Sequence, residues 1–208
     1  MSIILIGDQV LKFWIKLNMT YGESFEILGL PWAQILFVEN EGMAFGMSFG
    51  GNYGKLFLTL FRMLAVPGGF YLIWYLVKNK YHNGLVYCVG LIVTGALGNL
   101  IDSIFYGVIF SHSYHQVATF MPADGGYAPL LYGRVVDMFY FPLIDTTWPQ
   151  WVPYFGGKDL KFFEPIFNVA DSAISIGVIT ILIFQGKFLK EDPGSGEKSS
   201  SHESSSDS

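Results

Sequence analysis

The chain has 208 residues, of which 51% are hydrophobic and 14% charged, and its mean hydropathy is +0.41. A soluble domain carries about 25% charged residues, so an ordinary soluble enzyme is excluded and a single-domain polytopic membrane protein is indicated. The formal charge of −5 owes several of its acids to the tail KEDPGSGEKSSSHESSSDS, and no basic patch with interleaved aromatics points to nucleic acid.

Ser2 to Met19 (SIILIGDQVLKFWIKLNM) is the first apolar segment, interrupted by Asp8, Lys12 and Lys16. Neither a positive n-region nor a small-residue cleavage site supports a cleaved signal peptide. The segment reads as a first transmembrane helix, expected to lack its natural beginning. Asp8 and Lys12 stand four apart and can pair on one face; the plainer alternative is an interfacial ion pair of little energetic weight. Residues 21–54 are too mixed to span, and short β-type runs broken by Glu-Asn-Glu-Gly and Gly-Gly suggest a strand-turn unit outside the membrane.

Lys55 to Val77 is the second span, with Arg62 near one end and Pro67-Gly68-Gly69 offering a kink. Leu85 to Tyr106 is the third. It contains Cys88, which reads as packing because a lone cysteine makes no disulfide framework or thiolate metal cluster. Gly95, Gly98, Asn99 and Asp102 recur at i, i+3, i+4 and i+7, so a close-packed face also carries an amide and a carboxylate. Residues 107–164 form a long second external segment. Its Trp148, Trp151 and Tyr154 suit either an interface belt or a cleft lining. His112 and His115 lack further ligands, so no metal site is read there.

The fourth span starts at Pro165 and carries Asn168, Asp171, Ser172 and Ser175, again at i, i+3, i+4 and i+7. Val169, Ile174, Val178 and Ile181 are left for lipid or packing. An aspartate in an apolar span is a functional candidate by default, although capping or pinning a partner helix also accounts for it. Two stripes, each with Asn three residues before Asp, are most easily satisfied by facing one another. Lys78 and Lys80 in the short turn, and Lys187 and Lys190 after the last span, belong on the cytoplasmic side. Four spans then put both termini inside and both polar stripes near the outer face. Residues 1–189 make one membrane domain, and 190–208 a disordered cytoplasmic tail.

Asp8, Asp102, Asp137 and Asp171 are the candidate acids. Two carboxylates in a partly dry site share a proton, so that one activates water while the other polarises a carbonyl, with no metal needed. Spacing alone does not choose the two. DQVLK (Asp8–Lys12), ENEGMAFG (Glu39–Gly46), TGALGNLID (Thr94–Asp102), GRVVDMF (Gly133–Phe139) and FNVADSAI (Phe167–Ile174) follow one another in order. With them the chain resembles bacterial lipoprotein signal peptidase, or signal peptidase II, from near its start to the end of span four.

The resemblance implies an α-helical integral membrane aspartyl protease of four transmembrane helices, with residues 21–54 as a small extracytoplasmic β-cradle. It implies Asp137 and Asp171 as the catalytic pair. Asn168, Asn99 and Asp102 would order the pocket, Asn40 would hold the substrate chain, and Asp8 and Lys12 would support. The implied partners are a prolipoprotein with a diacylglyceryl cysteine and membrane lipids. The implied setting is the bacterial inner membrane, with the site near its outer face, a monomer and no cofactor. Close backbone approach to substrate is expected near Gly42 and Gly133.

Two departures stand out. Ser103 follows Asp102 where the family commonly has Arg, and Arg134 or Arg62 is expected to supply that cation. Ser111 to Tyr132 is an insertion, read as an external loop modulating access or else as surface decoration. The competing function is a small transporter or lipid-binding protein with an Asp102–Asp171 proton relay; the external VVDMF stretch and the cradle motifs argue against it.

Overall fold

The computed structural model describes residues 1–41, 52–142, 144–147, 149–151, 154, 157, 159–162 and 165–188. The Gly42–Gly46 part of the second motif, Trp148, Lys190 and the tail lie outside these residues. Helix α1 (Ser2–Asn18) is about 25 Å long at helical rise. It buries Asp8, Lys12, Ile15 and Lys16 and turns Ile3, Ile6, Val10, Trp14 and Leu17 outward. That is the inverse of a helix on a water-soluble core, and it suits lipid outside with paired charges inside.

Helix α2 (Asn52–Lys78) continues through Pro67, and its surface is lined with exposed Phe57, Leu60, Phe61, Leu64, Phe70 and Trp74. At Gly69 a Cβ would collide with the Val93 side chain, so this glycine permits the approach of α3. Helix α3 (Asn83–Ile101) begins at His82, whose Nδ1 accepts the Gly84 N–H at 3.0 Å. It passes into a π-helical turn, Asp102–Tyr106, and ends in the short α4 (Gly107–Ile109). The span read over Leu85–Tyr106 thus ends in a wider turn that begins on Asp102.

The last helix, α5 (Val169–Phe188), starts later than Pro165 because Ile166–Phe167 forms a strand and Asn168 caps the helix. Ser175 is exposed, so the polar face expected along this span stops with Ser172. The buried stripe is Ala170, Ala173 and Gly177. A Cβ on Gly95 would meet the Ala170 carbonyl, and one on Gly177 would lie 2.7 Å from the Cys88 carbonyl. The α3–α5 contact is thus made by small residues, as the Gly95/Gly98 spacing implied. Among the described residues, three units, 53–78, 83–109 and 169–188, are long and apolar enough to cross a membrane; α1 is not among them.

The cradle draws on more of the chain than residues 21–54. Strands β1 (Ser24–Ile27) and β2 (Leu30–Asn40) form a hairpin through Leu28 and Gly29, both at positive φ as a tight two-residue turn requires. Strand β3 (Val135–Tyr140) pairs antiparallel with β2, and β6 (Ile166–Phe167) pairs with β3, giving the order β1-β2-β3-β6. A separate hairpin joins β4 (Ile144–Thr147) to β5 (Asp159–Phe162). On one face of the main sheet, Phe37, Val136 and Met138 join Ile15, Met19, Tyr106, Phe110 and Ala118 in an apolar core.

The insertion belongs to that core, and the surface-decoration reading is corrected. Phe110 and Phe120 form a bridge, and Ala118 is buried. The N–H groups of Tyr127, Ala128 and Leu131 donate to the carbonyls of Phe110, Gly107 and Ile104. These bonds fold the segment back onto the π-turn and α4, where a loose external loop would leave its backbone to water. Trp151 and Tyr154 stand out exposed.

Candidate active site

Strand register places Asp137. Val38 pairs with Asp137 and Asn40 with Val135, so Asn40 and Asp137 share one sheet face while Val136 and Met138 enter the core on the other. A slip of one residue would turn the carboxylate into the apolar core. Asp137 is 4% exposed. Its Oδ2 accepts from Asn40 Nδ2 at 3.2 Å and its Oδ1 from Asn168 Nδ2 at 2.7 Å. Its carboxyl is pushed up to about 7, first by burial and then by the charge of Asp171, against the pull of Asn40, Lys12 and Asn168.

Helix capping places Asp171. The Asn168 side-chain oxygen accepts the Asp171 N–H at 2.8 Å, and Asp171 Oδ2 reaches back to the Asn168 N–H at 3.4 Å. This is a capping box in which the helix's third residue also faces the site. Asp171 Oδ1 accepts from Asn99 Nδ2 at 2.8 Å, and Asn168 Nδ2 also lies 3.2 Å from Asn99 Oδ1. The stripes of the third and fourth spans do face one another, and Asn168 touches both carboxylate residues. Asp171 is only partly buried, which leaves this carboxylate open to a reactant.

Asp102 is held differently. It is fully buried, 2.7 Å from Lys12 Nζ, and accepts from Gln9 Nε2 at 3.0 Å and from the Val136 N–H at 3.3 Å. Lys12 Nζ is also 2.9 Å from Asp8 and 3.0 Å from Asn99 Oδ1. Asp8 in turn caps α5 through the Ala170 N–H at 3.0 Å. The Asp8–Lys12 pair is therefore no interfacial ornament: it is a buried knot tying α1, the π-turn, β3 and α5 together. Asp102 fixes the residue next to Asp137 and has its oxygens occupied.

Arg134, expected beside the site, pairs with Glu39 at 3.4 Å and lies against the rings of Tyr114 and Tyr127. Glu39 is bonded to Lys16 at 2.5 Å, and Lys16 donates to Ser113 Oγ at 2.7 Å. The cation that reaches Ser103 is Arg62, whose Nη1 donates to Ser103 Oγ at 3.1 Å. Gly133 offers no opening to a substrate, because its N–H donates to the Ser103 carbonyl and a Cβ there would strike the Asp102 carbonyl. Gly42 lies outside the described residues. Sequence reasoning passed over Gln9, Lys16 and Glu39. A third charge on α1, four residues beyond Lys12, was the available signal for Lys16.

Fold and site define a helical membrane protein with a small antiparallel sheet and a neighbouring pair of aspartates where sheet and helices meet. Residues 1–186 match the family described as Signal peptidase (SPase) II, and the chain belongs to that family. It is similar to the lipoprotein signal peptidase of Porphyromonas gingivalis, 50% identical over 182 residues, which are 87% of this chain and 78% of the relative. That of Amoebophilus asiaticus is 38% identical over 179 residues, covering 85% and 71%. A solved bacterial membrane enzyme, determined by the in meso method at 1.9 Å resolution, is 27% identical with a TM-score of 0.56, covering 92% of this chain and 90% of that one.

Proposed function

We propose that this signal peptidase II-family protease removes signal peptides from diacylglyceryl-modified prolipoproteins, with Asp137 and Asp171 as its catalytic pair. The observation that carries the pair is Asn168, which bonds to Asp137 through its side chain and to Asp171 through the capping box. Substrate enters from the lipid side, its signal helix and acyl chains against the apolar helix surfaces, and the scissile carbonyl lies between the two carboxyls. Near neutral pH Asp137 keeps the shared proton and donates a hydrogen bond to the carbonyl oxygen. Asp171 takes a proton from water as the water oxygen attacks carbon. The tetrahedral adduct collapses with a proton delivered to the departing cysteine nitrogen. The products are a signal peptide ending in a carboxyl group and a lipoprotein beginning at its lipidated cysteine, with no covalent acyl-enzyme.

Asn40 steadies Asp137, Asn99 steadies Asp171, and Asp8, Lys12 and Asp102 set the elements that carry them. The relay-transporter reading requires Asp102 as a partner of Asp171, and Asp102 is instead ion-paired to Lys12. We place the site near the outer face of the inner membrane, with α1 as the fourth span, residues 1–189 as one domain and 190–208 as a cytoplasmic tail. The test is cleavage of a diacylglyceryl prolipoprotein by purified protein in detergent. Asp137→Asn and Asp171→Asn should each lose about a hundredfold or more of the rate while remaining folded. Near-wild-type cleavage by either variant would remove it from the pair.

A further inference from the structure

Arg62 is a half-buried cation on α2, a helix whose surface is otherwise almost wholly apolar and exposed. A guanidinium in such a position is costly unless it answers to something. Its hydrogen bond runs to Ser103 Oγ, which lies in the π-turn, is 1% exposed and itself donates to the Asn99 carbonyl at 2.8 Å. The carboxylates that act on it are Asp171, Asp102 and Asp137, in that order.

The charged groups on the elements packed around the pair are Asp8, Lys12 and Lys16 on α1, Glu39 on β2, Lys55 and Arg62 on α2, Asp102 on the π-turn and Arg134 just before β3. Lys12 is matched by direct contacts with Asp8 and Asp102. Arg62 reaches the pair through a chain of hydrogen bonds, to Ser103, from Ser103 to the Asn99 carbonyl, and from the Asn99 side chain to Asp171.

We infer that Arg62, anchored by Ser103, is a positioning residue that sets the charge state of the Asp137–Asp171 pair and docks α2 against the π-turn beside it. The inference rests on the pair proposed above. A cation facing two coupled carboxylates favours the singly ionised pair over the neutral one, and its removal displaces both titrations toward higher pH. The working form holds one proton, so the whole pH–rate bell should move with it. A purely structural role would lower the amount of folded enzyme and leave the bell in place.

The experiment measures kcat and KM against pH for the full chain in detergent, for wild type, Arg62→Met, Arg62→Lys and Ser103→Ala. Asp137→Asn and Asp171→Asn are run beside them. Arg62→Met should lose about tenfold in kcat at pH 7 with KM within about threefold, and both limbs should rise by about one pH unit. Arg62→Lys should keep its limbs close to wild type. Should Arg62→Met fail to accumulate, an upward displacement in Ser103→Ala but not in Arg62→Lys carries the same conclusion. Superimposed profiles across the set, with the two aspartate variants inactive, overturn the role of Arg62 alone. Cleavage by an aspartate variant removes the pair and this inference together.

Discussion

The carboxyl of Asp137 holds its proton up to about 7 in the fold, whereas an unfolded aspartate releases it near 4. Between those values the folded chain binds more protons than the unfolded one, so stability falls as pH rises through the window and levels off above it. Asp137→Asn removes that dependence. The variant should be more stable than wild type at pH 8, by on the order of 4 kcal/mol at most, and equal to it at pH 4. Thermal melts in detergent at the two pH values decide the matter, and a gap independent of pH would mean that Asp137 titrates normally. Such a gain on disabling a site is the expected cost of keeping a carboxyl dry for chemistry.

Part of this residue-scale arrangement was legible in the chain. Asn168-x-x-Asp171 before an apolar run is a capping-box pattern, and it locates the start of α5 better than the proline three residues earlier. The choice between Asp102 and Asp137 was not legible. It turns on Lys12, Gln9 and the Val136 N–H, which reach Asp102 from α1 and β3 and leave no local trace.

At the scale of elements, α1 carries the largest energetic consequence. Lys12 is fully buried between two carboxylates, and removing one partner of a buried ion cluster costs about 3–5 kcal/mol because the others lose their counter-charge. Lys12→Met should therefore destabilise the protein by about that amount and loosen α1 from α5. Denaturation monitored in detergent would register a surface pair as a change below 1 kcal/mol instead. The α3–α5 contact is expected to be as intolerant: Gly95→Leu drives a side chain into the Ala170 carbonyl and should prevent accumulation of folded protein. The glycine spacing announced that contact. Nothing in DSIFY announced a π-helical turn, because the extra residue is accommodated by the Gly133 and Leu131 N–H groups arriving from distant sequence. The sheet shows the same limit. Its hairpin could be read from local runs, while β3 and β6 join through pairings with no local signature.

For the whole molecule, the question is how the helices lie in the bilayer. An apolar stripe on α1 faces outward from a charged interior, which lowers its average hydropathy without making it less suited to lipid. Counting α1 as a span puts the α2–α3 turn, with Lys78 and Lys80, in the cytoplasm, and the insertion with Asp124 outside. Cysteines placed at Asn79 and Asp124 distinguish this from the inverted arrangement, with Cys88 replaced by serine as background. In spheroplasts a membrane-impermeant maleimide should label Asp124→Cys at once and Asn79→Cys only after lysis. The reverse pattern would place the aspartate pair on the inner side, where a precursor's cleavage site has not yet crossed. Equal labelling of both before lysis would mean that the 83–109 unit between them does not span, and its exposed Tyr87, Phe105 and Val108 would then need another apolar cover.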